Sequence, residues 1–374
     1  MALTEVQIQN KITQHSSSVT KEYSRFYQFA PYTGTAQNNV IVTNKDLSRR
    51  KGNRISMPFV PSLANDQGIV GNAQAEGNEE FLDNFAKEVE VEIYRKPVAT
   101  TEREKQFTVV DLLNEGKERQ TDWAKDHMRD QVITALGSIH AQNVSSDQGL
   151  AYADASEAQK DAWNTNNSDR LLFGDANANL VAGDQSASLL NITAAMTLNG
   201  ATLSLLKRRA LLATNYRITP LKVKEDMNSE MFVVFVHPHH HRDLWADPVV
   251  REDHRQARER SKNNPLHHGG DILYDGMIIR QIQEFGTLGG VGASGAIVAP
   301  YYLCGQQALS MAFAKHAYFT SETRDYGHVT GACINIMYNT VKTTYASAVD
   351  GNNLPTAYKD FGIATGFASA PADG

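Results

Sequence analysis

Four histidines occupy five positions in the stretch "FVVFVHPHHHRDLWADP": His237, His239, His240 and His241, interrupted only by Pro238. Imidazoles at this density could hold a metal ion or move protons, so they decide whether an enzyme reading is open. A zinc shell needs converging ligands, about one turn apart on a helix or alternating on a strand. His239, His240 and His241 are consecutive, so their side chains fan apart in either conformation. Completing a shell would mean borrowing His254, His267 or His268 from farther along the chain. The spacing fits something plainer: the end of a buried strand "FVVFV", Pro238 in a first helical turn, and a helix start with exposed polar residues. No structural metal is expected.

The glycines of "GVGASG" (Gly290, Gly292 and Gly295) fit G-x-G-x-x-G, which grips a pyrophosphate only between a strand and a helix N-terminus. Here the β-branched and aromatic "AIVAPYYL" follows, so the glycines join two strands. The sequence contains no G-x-x-x-x-G-K-[ST], G-x-S-x-G or H-E-x-x-H. The acidic residues of "GNEEF" read as a charged hairpin tip. No catalytic constellation stands out, and no cofactor is implied.

Composition sets the frame. The chain has 374 residues, 41% hydrophobic and 21% charged, with a net charge of −6. That is ordinary globular usage, long enough for two or three domains, and it excludes a general polyanion binder held by bulk charge. The basic clusters are local: Arg49-Arg50-Lys51 with Arg54, Lys207-Arg208-Arg209, and "REDHRQARERSK". They read as solvated faces or subunit contacts. Cys304 and Cys333 are too few for a disulfide framework and fit a reducing compartment. No apolar run approaches the ~18 residues of a membrane span, and the N-terminus lacks a signal-peptide core. A soluble intracellular product is expected.

Patterning along the chain gives the elements. The first 30 residues are polar and end in the aromatics Tyr23, Phe26, Tyr27 and Phe29, as in either a frayed terminus or an arm that docks on a neighbour. "NVIVTNKDLSRRKGNRISMPFVPSL" and the period-two "KEVEVEIYRKPVA" are β pieces joined by a long Gly/Asn-rich loop: an extended, exposed hairpin. From Phe107 to His140 the pattern is helical, with Val110, Leu113, Trp123, Val132, Ile133, Leu136 and Ile139 on one face. About 30 residues make a strut of ~45 Å. Residues 141–185 read as loop. A second helix spans "TAAMTLNGATLSLLKRRALLAT", with Thr193 as N-cap. "DGMIIRQIQEF", "GAIVAPYYL" and "GACINIMYNTVKTTY" are further strands, and the last residues form an extended tail. The class is α+β.

This order of parts resembles the major capsid proteins of tailed phages. "GIVGNAQAEGNEEFLDNFAKEVEVEIYRKPV" is similar to the hairpin and return strand of a podophage-type capsid family, the one that includes phages carrying a giant virion RNA polymerase. "VFVHPHHHRDLWAD", "NNPLHHGGDILYDGMIIRQ", "CGQQALSMAFAK" and "DYGHVTGACINIMYNTVKTTY" resemble later segments of that family in the same order. Together they cover residues 40 to 345. The triple histidine is not required by that pattern, and the N-terminal arm and C-terminal tail are not covered.

The resemblance implies the Johnson fold, or Hong Kong 97-like capsid fold. On that map residues 1–45 are an N-terminal arm and 46–97 the E-loop hairpin. Residues 98–185 and 305–345 form a peripheral domain with a long spine helix, 186–304 an axial domain, and 346–374 a C-terminal tail. It further implies a non-enzymatic shell subunit that forms hexamers and pentamers around packaged double-stranded DNA, touched non-specifically at the inner wall. Its expected partners are other copies of itself, a separate scaffolding protein, a portal and a decoration protein, with no membrane. The place is the virion, assembled in the bacterial cytoplasm.

The hairpin carries Arg49, Arg50, Lys51 and Arg54 on one side and Glu76, Glu79, Glu80 and Asp83 on the other. Opposite patches of this kind can set register between neighbouring subunits, and these residues are the candidate interface. Two competing readings remain open on sequence alone. One is a metal- or nucleotide-dependent enzyme built on His237–His241; the other is a different phage assembly or decoration component.

Overall fold

A computed structural model of the chain describes residues 29–48, 52–59, 85–107, 112–140, 149–213, 216–223, 229–260, 271–349 and 355–373. A five-stranded sheet runs in the order Thr33–Gly34, Ile41–Asn44, Leu309–Arg324, Val329–Lys342 and Glu92–Thr101. Its centre is the long antiparallel pair Leu309–Arg324 and Val329–Lys342. Phe29, Tyr32, Val40 and Ile41 lie in the stretch expected as an arm, yet all four are buried in this sheet's core. The arm reading for residues 1–28 falls outside the described residues.

The strut is the helix Leu112–Gly137, 26 residues or about 39 Å, preceded by a separate short helix Glu102–Phe107. It lies on the five-stranded sheet through a face that includes the expected Val132 and Leu136, with Trp123 and Ile133 packed at its edge, and is extended by Gln120, Thr121, Ala124, Met128 and Ala135, which the sequence pattern did not mark. Small and polar residues occupy this stripe because the helix sits close to the sheet. A Cβ at Gly116 would come within 2.9 Å of the Val98 side chain. Gln120 spends its amide on sheet backbone, donating to Lys96 O at 2.7 Å and Ala332 O at 2.8 Å. Hydrophobicity alone could not mark these small and polar members of the face.

A second sheet of seven strands has the order Leu171–Phe173, Ile363–Ser369, Val298–Cys304, Ser229–Val236, Met277–Gln281 and Ile272–Tyr274, with Leu221–Val223 also paired to Ser229–Val236. The continuous apolar run "FVVFV" is the hinge of the packing. Val233 and Phe235 enter the core shared with the strut helix, while Phe232, Val234 and Val236 face a second core with Leu203, Leu206 and Tyr301. Burial on both faces is what a continuous, non-alternating strand predicts.

Three local expectations change. Within 141–185 the structure has a helix Glu157–Asn166 and the strand Leu171–Phe173, followed by a helix Gln185–Leu190. The Ser156-x-x-Gln159 spacing was the available signal, since Ser156 N donates to Gln159 Oε1 at 2.9 Å as in a capping box. The second helix begins at Gly200, not Thr193, because Asn199 is the cap and its Oδ1 accepts from Thr202 N at 2.9 Å. The C-terminal segment is not an extended tail. Pro355–Asp360 pairs with Thr344–Val349, and Ile363–Ser369 is a wholly buried strand of the second sheet. Its small residues are there to admit neighbours, as Gly366 does for the Tyr301 ring packed against it.

Candidate functional site

The hairpin exists where its strands are described: Arg54–Phe59 pairs antiparallel with Phe85–Glu90, Arg54 opposite Glu90 and Phe59 opposite Phe85. Its base is rooted in apolar contacts. Val89 and Val91 join Ala312, Ala314 and Val341 of the five-stranded sheet, with Leu47, Ile55 and Met57 packed against them. Lys87 is buried in the same root, and its Nζ donates to His140 Nε2 at 2.9 Å and Thr344 Oγ1 at 3.3 Å.

Of the candidate interface charges, Arg54 is described. It pairs within the hairpin, 3.2 Å from Glu90 and 3.7 Å from Glu88. These pairs are well exposed, so each stabilises by about 0–1 kcal/mol. Arg49, Arg50, Lys51, Glu76, Glu79, Glu80 and Asp83 lie outside the described residues.

The histidine stretch is a strand end followed by a helix, Pro238–Ala246, with Pro238 in the first turn. His237 is its N-cap, and the ring Nδ1 accepts from His239 N at 3.1 Å. The expectation of exposed imidazoles holds only in part. His237 and His240 are buried, while His239 and His241 are half-buried. His240 and Leu244 stand one turn apart on the face that meets the second sheet, which is why an imidazole enters the core.

Burial holds the His240 pKa down to about 3, against an ordinary 6.5; a weak hydrogen bond to Ala368 O, at 3.4 Å, pulls the other way. Its ring stands edge-on to Tyr301, centroids 5.8 Å apart. His254 is used elsewhere and accepts from Leu273 N at 3.0 Å. His267 and His268 lie outside the described residues. Among the described residues no three His, Cys, Asp or Glu side chains group as a metal shell would require. Gly290, Gly292 and Gly295 lie in or beside a single 3-10 turn, Ala293–Gly295, that leads into the strand Val298–Cys304, so they open no α-helix for a pyrophosphate.

Buried charge concentrates at one further place, which sequence patterning did not flag. Lys342 ends a strand of the first sheet, and Asp360 precedes the strand Ile363–Ser369 of the second. Their side chains meet at 3.1 Å, both almost fully buried, and Trp163 Nε1 donates to the same Asp360 oxygen at 3.3 Å. Arg170, also buried, donates to the carbonyls of Asp360, Phe361 and Tyr216 and to the Tyr345 hydroxyl. Asn167 Oδ1 accepts from Asp360 N at 2.8 Å. The donors are committed to backbone carbonyls, the Asp360 carboxylate and the Tyr345 hydroxyl, so the arrangement fastens the link between the sheets. Breaking one partner of such a pair is costly because the other charge stays buried.

With this geometry in place, comparison with known proteins is direct. The profile of a family described as phage capsid protein matches residues 4–367. The major capsid protein of Pseudomonas phage KPP25 is 26% identical over 351 residues, covering 91% of this chain and 90% of that protein. Among solved structures, the cyanophage Pam1 capsid asymmetric unit is similar at a TM-score of 0.77 and 30% identity, over 92% of each chain. The capsid of Ralstonia phage GP4 shares the fold at a TM-score of 0.72 and 20% identity, over 92% of this chain and 91% of that one. These likenesses span both sheets, the strut helix and the hairpin base, and they leave the enzyme reading without support. The chain belongs to the phage capsid protein family, as a major capsid protein with the Hong Kong 97-like fold.

Proposed function

We propose that copies of this chain assemble as hexamers and pentamers into the icosahedral head shell around the double-stranded DNA of a tailed phage. The observation that carries this reading is the hairpin. Its base is rooted in the five-stranded sheet, and its two strands are joined through residues 60–84, far more chain than a turn needs. So long a connection between two paired strands is hard to account for in a free-standing subunit and natural for one stabilised by neighbours. Arg49, Arg50, Lys51 and Arg54 on one side, and Glu76, Glu79, Glu80 and Asp83 on the other, supply opposite charge for a heterologous contact repeated around a ring.

The subunit acts without catalysis. We assign the hairpin to 46–97, a peripheral unit to the strut helix with the five-stranded sheet, and an axial unit to 186–304 joined by the strand Ile363–Ser369. A separate scaffolding protein, a portal and a decoration protein are the further partners, and assembly takes place in the bacterial cytoplasm. The net charge of −6 favours a wall that touches packaged DNA non-specifically without gripping it. Sedimentation velocity of the purified chain tests the reading. Species of hexamer size and far larger are expected across a concentration series, and a monomer at every concentration overturns it.

A further inference from the structure

The histidines at 237–241 have no part in the hairpin or in the assembly it supports, yet their placement is unusual. Helix N-termini are stabilised by acidic side chains facing the positive end of the dipole. The first turn of Pro238–Ala246 holds no acidic residue and is capped by an imidazole. His237 Nδ1 can accept from His239 N, at 3.1 Å, only while that nitrogen carries no proton. A protonated ring would lose the cap and add a cation at the positive end of the helix.

His240 is under a second constraint. It is fully buried between the helix and the second sheet, where Nε2 meets Ala368 O at 3.4 Å. Its Nδ1 has no hydrogen-bond partner among the described residues. An imidazolium has two N–H donors, and one of them would be stranded in the interior.

The neighbouring groups offer no relief. The His237 ring lies 4.9 Å from that of His239 and 6.3 Å from that of His240, between centroids, and Tyr301 meets His240 edge-on. Arg242 adds a further positive charge, and the Asp243 carboxylate is already paired with it at 2.8 Å. From the following helix, Pro248–Arg260, His254 faces Trp245. Asp247, between the two helices, accepts from Gly200 N and Val249 N, each at 3.0 Å.

The same helix holds the end of the strand Ile363–Ser369. Arg242 donates to Pro371 O at 3.0 Å and pairs with Asp373. Arg242 holds the Asp373 carboxyl below the usual carboxylate range, so this pair outlasts the histidines as pH falls. A charged His239 would be drawn to Asp373 across 4.0 Å, an exposed contact that contributes little.

We propose that the first turn of Pro238–Ala246 is a proton-operated clasp: neutral rings at His237 and His240 keep it closed on the second sheet, and their protonation opens it while the sheet stays folded. Burial depresses both rings from the ordinary 6.5, His240 to about 3, so the open form takes up protons first. Opening therefore grows as pH falls below 6.5. The Arg242–Asp373 pair tethers the loosened turn, which recloses when the pH is restored.

Hydrogen exchange of the purified, unassembled chain, corrected for the intrinsic pH dependence of exchange, reads this locally. Between about pH 7.5 and about pH 5, protection in 241–246 should fall about tenfold or more, the factor for one such imidazole one pH unit below its ordinary value. It should recover on return, while Ser229–Val236 keeps its protection throughout. Unchanged protection of the helix overturns the proposal. So does an equal loss in Ser229–Val236, which would be unfolding of the sheet itself.

His237→Asn supplies a cap acceptor that does not titrate. Combined with His240→Gln, it should leave the helix protected at about pH 5; a loss equal to the parent's overturns the assignment to these two rings. Should the double variant not fold, His237→Asn alone is compared with the parent. Its loss of protection should be smaller, and an equal loss overturns the clasp.

Discussion

The His240 imidazole is held by the second sheet in a place where a proton is unwelcome, and this gives the fold an acid-sensitive element. Its folded pKa of about 3 lies below the ordinary 6.5, so the unfolded chain binds the additional proton first as pH falls. The contribution is fully present above 6.5 and is lost as pH drops from there toward about 3, by up to about 1.4 kcal/mol per pH unit. His237, also depressed by burial, acts in the same direction. In His240→Gln, melting of the unassembled subunit should lose less stability on acidification than the parent does. Parallel pH profiles would contradict this.

The neighbouring contact is as exacting. A Cβ at Gly366 would come within 2.1 Å of the hydroxyl-bearing edge of the Tyr301 ring, so Gly366→Ala should destabilise the subunit by about 1–3 kcal/mol in denaturant titration. An unchanged midpoint would mean the strand slides freely past Tyr301. Both effects were out of reach of sequence reading. The consecutive spacing of His239–His241 argued against a metal shell, but which imidazole enters the core depends on which face of Pro238–Ala246 meets the sheet.

At the scale of elements, legibility followed hydrophobic pattern. "FVVFV" was readable as a strand buried on both faces because its two cores demand apolar residues without alternation. The hairpin was readable because "KEVEVEIY" alternates, and Val89 and Val91 do enter its apolar root. The strut was readable as a helix, and its buried face only in part: Val132 and Leu136 were marked, while Gln120 and Ala124, which stand where large apolar residues would, were not. The final strand was missed for the same reason: "IATGFAS" is small because close neighbours require it, and small residues carry little hydrophobic signal. The interface charges were legible only as a hypothesis, and Arg54 already has partners within its own hairpin.

The hypothesis is testable at this scale. Reversing Glu79 and Glu80 to Lys should leave the melting temperature of the free subunit nearly unchanged, since exposed pairs contribute about 0–1 kcal/mol. Assembly should be impaired, most strongly at low ionic strength, where screening is weakest. Normal assembly of the double variant at low salt would reduce the acidic side to a solvated tip.

Taken whole, the molecule is two sheets that share core residues through Ser229–Val236 and are fastened by the buried Lys342–Asp360 pair and Arg170. The described base of the hairpin, Arg54–Phe59 with Phe85–Glu90, is rooted on the five-stranded sheet. Two sheets joined through a shared strand and a buried ion pair suit a subunit that must hold its shape while neighbours determine its stability. Negative-stain microscopy of the purified chain, carried across the concentration at which scattering rises, tests this most directly. The account predicts capsomer rings giving way to closed shells of uniform diameter. Discrete particles of single-subunit size at every concentration would contradict it.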